Sequence, residues 1–106
     1  MTENEPIIGE TPEERLIRML KENGPDDPET YQFLQQWMKE QEELVTQSSD
    51  PNAQIEFDLK LARIYFKAGG EQEAFEIFEG ARRQAMQEGK TDLFNAIMQE
   101  MDEKNL

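Results

Sequence analysis

The chain has 106 residues, enough for one small domain, with 24 acidic and 11 basic side chains, a net charge of −13, and neither histidine nor cysteine. No cysteine means no disulfide, no thiolate nucleophile and no Cys-ligated zinc, and no histidine removes the usual proton carrier and metal ligand near neutral pH. The acidic balance argues against a nucleic-acid backbone and against an anionic membrane surface as partners.

No uncharged apolar run approaches the roughly 18 residues of a membrane span. The opening MTENEPIIGE lacks the basic start and apolar core of a secretion signal, so the expected location is the cytoplasm. The charge is uneven: residues 1–50 carry 13 acids and 4 bases, residues 51–106 carry 11 acids and 7 bases.

Residues 1–10 are polar and broken by Pro6 and Gly9, which predicts a flexible tail with Ile7 and Ile8 as a candidate docking point on the body. A single helical domain is expected over 11–104. Thr11-Pro12-Glu13-Glu14 joins an N-cap, a proline at the first helical position, and acids at the positive end of the helix dipole. The first helix carries Leu16, Ile17 and Leu20 and stops at Asn23-Gly24-Pro25.

Asp27-Pro28 opens a second helix of about twenty residues. Its apolar stripe runs through Tyr31, Leu34, Trp37, Met38, Gln41, Leu44 and Val45, with Trp37 in the core and Glu40, Glu42 and Glu43 facing solvent. Asp50-Pro51 predicts the start of a third helix, whose apolar residues from Ile55 to Ala68 cover more than one face and so imply packing on two sides. Gly69-Gly70 ends it.

A fourth helix over about 71–88 places Ala74, Ile77, Phe78, Ala81 and Ala85 on one face, and its mid-helix Gly80 suggests a close helix–helix approach. Thr91-Asp92 is expected to cap a last helix over 91–103, with Leu93, Phe94, Ile97, Met98 and Met101 inward and the methionines, Met86 included, filling gaps. No segment alternates as a strand does. The expected fold is all-α, five helices joined by short loops.

The third and fourth helices share a pattern. Leu61, Ala62 and Tyr65 lie on the first, Gly69 in the turn, and Ala74, Phe78 and Ala81 on the second. Small residues let two helices approach closely and large ones fill the groove beside them. The pattern over residues 55–88 resembles one tetratricopeptide repeat, with departures at Asp58 and Met86, where that family often has Trp and Pro. No second copy appears at a 34-residue shift. A lone unit does not bury its own apolar face, so flanking helices, a second subunit in a homodimer or another partner must cover it.

Chemistry finds little support. Among so many acids, carboxylate pairs at helical spacing arise by chance. Asp58, the one acid in an apolar stretch, is read first as a surface residue. No calcium loop or phosphate loop is present. The expectation is a non-catalytic protein without cofactor or metal.

One feature opposes the overall charge: Lys60, Arg63 and Lys67 share a face of the third helix. The tetratricopeptide resemblance implies a groove near Glu56, Leu59, Lys60, Arg63, Phe66 and Lys67, which would hold a peptide or helix of a partner protein. The alternative is a small acidic chaperone or inhibitor that masks a basic partner.

Overall fold

Five helices make up the computed structural model, which describes residues 7–106. They are α1 (Pro12–Asn23), α2 (Pro28–Gln47), α3 (Ala53–Lys67), α4 (Glu71–Gln87) and α5 (Thr91–Glu103). Among the described residues there is no strand, and the chain is all-α as expected. No described helix is long and apolar enough to cross a membrane.

Local chemistry sets the first two helix starts. The Thr11 hydroxyl accepts from the Glu14 backbone N–H at 3.1 Å, and the Glu14 carboxylate accepts from the Thr11 N–H at 3.1 Å, closing a reciprocal capping box. Asp27 accepts from both the backbone N–H and the hydroxyl of the fully buried Thr30, each at 3.1 Å. Two other expected starts shift. Asp50 instead accepts the Asn52 N–H in a turn, and α3 begins at Ala53 without a side-chain cap. Thr91 is the first helical residue of α5 rather than its cap, and no side chain caps that end.

Residues 1–6 of the expected tail lie outside the described residues. The rest of it is a turn: the Glu10 N–H donates to the Ile7 carbonyl, and the Glu10 carboxylate pairs with Arg18 at 2.9 Å. Ile7 and Ile8 are exposed, so the expected docking point does not form.

Helix α1 lies against α2 and α3, α2 against α3, α3 against α4, and α4 against α5. Successive neighbours in sequence are thus neighbours in space, as short loops demand. The central helix α3 serves two cores. Its Ile55, Leu59 and Ala62 join Ala74, Phe78, Ala81 and Ala85 of α4 and Ile97 and Met101 of α5. Its Phe57, Leu61 and Ile64 join Leu16 and Leu20 of α1 and Leu34 and Trp37 of α2. This is the two-sided packing that the apolar run from Ile55 to Ala68 predicts.

The α3–α4 reversal is tight. Gly69 adopts φ +90°, a left-handed conformation that side chains disfavour, and the Gly70 N–H donates to the Tyr65 carbonyl at 2.8 Å. The side chains of Ala62, Ala74, Phe78 and Ala81 are all at most 1% exposed. Gly80 has a different setting from the expected one. It is exposed, and a Cβ built there meets nothing within 4 Å, so no helix approaches it.

Helix α2 departs from the single buried stripe. Its buried residues are Thr30, Leu34 and Trp37, whereas Tyr31 and Leu44 are exposed, Leu44 at 59%. For Leu44 the cause is length. The Trp37 indole N–H donates to Glu13, near the start of α1, so the two helices run antiparallel with Trp37 at the level of the first turn of α1. Beyond Trp37, α2 continues for ten residues, about 15 Å at 1.5 Å per residue, past the beginning of α1. Two methionines also differ from expectation: Met101 is buried, but Met86 and Met98 are exposed.

Candidate functional site

The outward face of α3 follows from its two cores. Ile55, Leu59, Ala62 and Phe66 recur at spacings of 4, 3 and 4 and turn to one core, and Phe57, Leu61, Ile64 and Ala68 repeat the pattern toward the other. Between these rows run Glu56, Lys60, Arg63 and Lys67, at the same spacing and all at least partly exposed. The cationic stripe read from the sequence is therefore a continuous strip of surface.

Leu59 does not belong to it. At 3% exposure it is a core residue, and its side chain takes no part in the expected groove. Phe66 is half-buried, packed on the core, and covered by Lys104, whose Nζ lies 5.5 Å from the ring centroid. The structure brings together four of the six expected residues and withdraws two apolar ones. The 4-3-4 row through Ile55, Leu59, Ala62 and Phe66 is the sequence signal that would have separated them.

Arg63 and Lys60 have different partners. Arg63 makes two charge-assisted hydrogen bonds to Glu100 of α5, both 2.7 Å. Glu100 also accepts from Lys104 at 2.8 Å. Hydrogen bonding from Arg63 holds the Glu100 carboxyl down at about 2, with Lys104 adding to the effect against an opposing desolvation. Lys60 donates to the neutral side chain of Gln41 on α2 at 3.3 Å. Among the described residues neither Lys60 nor Lys67 forms an ion pair with an acid.

Beside the stripe, the last turns of α2 and the first turns of α3 enclose a cleft of about 400 Å³. Leu44, Val45 and Phe57 supply its apolar wall, and Glu56, Lys60 and Arg63 its charged rim. Leu44 is the residue that periodicity missed, because a helical stripe does not reveal where the neighbouring helix stops.

Elsewhere, Asp58 is half-buried rather than on the surface. Burial raises its pKa, with the Gln54 amide donating to the carboxylate at 3.2 Å as a partial offset. Its position in the helical repeat sets it on the far side of α3 from the stripe. Among the described residues, no cluster of three or more acids could hold a metal ion. No family model, no curated protein and no solved structure matches the chain.

Proposed function

We propose that the chain is a non-catalytic protein-interaction module built on a tetratricopeptide-like hairpin over residues 55–88, which holds a peptide or helix of a partner protein along α3. Support for the hairpin reading comes from the burial of Leu61, Ala62, Ala74, Phe78 and Ala81 and from the left-handed Gly69 between the two helices. The observation that carries the binding reading is the strip of Lys60 and Lys67, without acidic partners among the described residues, beside an exposed Leu44 in a chain of net charge −13. In a chain of such net charge, Lys60 and Lys67 are the groups on this strip that suit an acidic partner, and an apolar wall adjoins Lys60.

The test is a pull-down with the wild-type chain and with Lys60→Glu/Lys67→Glu. Arg63 is left intact because reversing its charge would set two carboxylates against each other and unsettle the fold. A partner bound by the wild type should be lost from the double variant with circular dichroism unchanged. Undiminished recovery would remove α3 as the binding face.

A second reading, an acidic mask for a basic partner, draws on the exposed Glu40, Glu42 and Glu43 around Leu44 on the overhanging end of α2. Salt separates the two. A mask loses affinity steeply between low and physiological ionic strength, whereas a groove anchored by apolar contacts loses less.

A further inference from the structure

We infer that the α2–α3 cleft takes a segment bearing a carboxylate next to a large apolar side chain, and that Glu100 is a built-in competitor for the same cationic strip. This rests on reading α3 as the partner-binding face.

The structure already holds one carboxylate on that strip. Glu100 sits on Arg63 through two 2.7 Å bonds, a fork geometry that a planar guanidinium offers to any carboxylate. Arg63 itself lines the cleft, and its side chain is 41% exposed, so an incoming group reaches it from solvent.

One turn before Arg63, Lys60 has among the described residues only the Gln41 amide as partner, a neutral contact that yields to a charged one. Leu44, Val45 and Phe57 stand beside it. An occupant that sets its carboxylate on Lys60 and its apolar side chain against Leu44 uses both halves of the cleft. To gain Arg63 as well, it must displace Glu100, which Lys104 also holds in place. An internal ligand of this kind lowers apparent affinity by the fraction of molecules in which it occupies the site.

The experiment uses the full chain, 15N-labelled, and two acetylated, amidated peptides, ELLE and its lysine counterpart KLLK. ELLE should shift the amide signals of Leu44, Val45, Phe57 and Lys60, and KLLK should not. Glu100→Gln should bind ELLE about tenfold more tightly, and Arg63→Gln/Glu100→Gln should lose that gain.

Equal affinity of wild type and Glu100→Gln, with shifts still at the cleft, would overturn the competitor while leaving the binding face standing. No shifts at the cleft in any form, or equal shifts with KLLK, would overturn the carboxylate site itself. A readout independent of the variants is the Arg63 Nε–Hε signal of the wild type. It should move at saturating ELLE, and a signal that stays put means Glu100 is never displaced.

Discussion

Arg63 on α3 and Glu100 on α5, 37 residues apart in sequence, meet through two hydrogen bonds of 2.7 Å. The pair ties the central helix to the last one across the edge of their shared core. It also predicts a pH dependence. The Glu100 carboxyl falls from an ordinary 4.5 to about 2 on folding, so its contribution is complete above pH 4.5 and lost as pH drops toward 2. After discounting for the exposure of Arg63, about 1–2 kcal/mol is at stake. Thermal melts from pH 6 to pH 3 should therefore decline less for Glu100→Gln than for wild type. Parallel decline would mean the pair adds nothing to stability.

Leu34 and Leu44 occupy one stripe of α2 by spacing, yet one is buried and the other is 59% exposed. Leu34→Ala should cost about 2–5 kcal/mol through lost burial and the cavity left behind. Leu44→Ala should stay within about 0.5 kcal/mol. Urea denaturation of the two variants measures the contrast directly, and similar losses would mean that the Leu44 side chain is packed after all.

Thr11 and Thr91 both stand at helix starts and differ in what they do. Thr11 closes a capping box, and Thr11→Ala should cost about 1 kcal/mol. Thr91 is already inside α5 and caps nothing, so Thr91→Ala should change stability by no more than about 0.5 kcal/mol. A matched pair of chemical melts would reveal the asymmetry.

At Gly80 an added methyl enters open space, while the mid-helix backbone gains rigidity. Gly80→Ala should raise stability by about 0.5–1 kcal/mol. A destabilised variant would show that the added methyl does not enter open space at this position.

The helices themselves were legible because apolar spacing and cap residues are local. The run from Ile55 to Ala68 announced a helix packed on both sides, and Ala62, Ala74, Phe78 and Ala81 announced a close hairpin. The cationic strip was legible for the same reason, as Lys60, Arg63 and Lys67 lie on one helix.

What escaped depends on neighbours. Leu59 enters the expected groove through the tetratricopeptide resemblance, although its 4-3-4 row belongs to the core. Leu44 looked buried because spacing says nothing of how far α1 extends. Glu100 was invisible as a partner of Arg63, since only the path of α4 brings α5 back beside α3. The starts at Asp50 and Thr91 failed because a turn and an uncapped first residue use the same residue types as a cap.

The two cores that share α3 divide the molecule unequally. On one side α4 and α5 close over a dense alanine-rich seam; on the other, α1 and α2 rest on a smaller patch, which the far end of α2 joins only through half-buried residues such as Val45. Fluctuations that peel α1 and α2 away should therefore precede any that part α3 from α4. A guest lodged between α2 and α3 bridges that weaker seam, so its arrival would slow amide exchange in α1 and α2 well beyond the residues it touches.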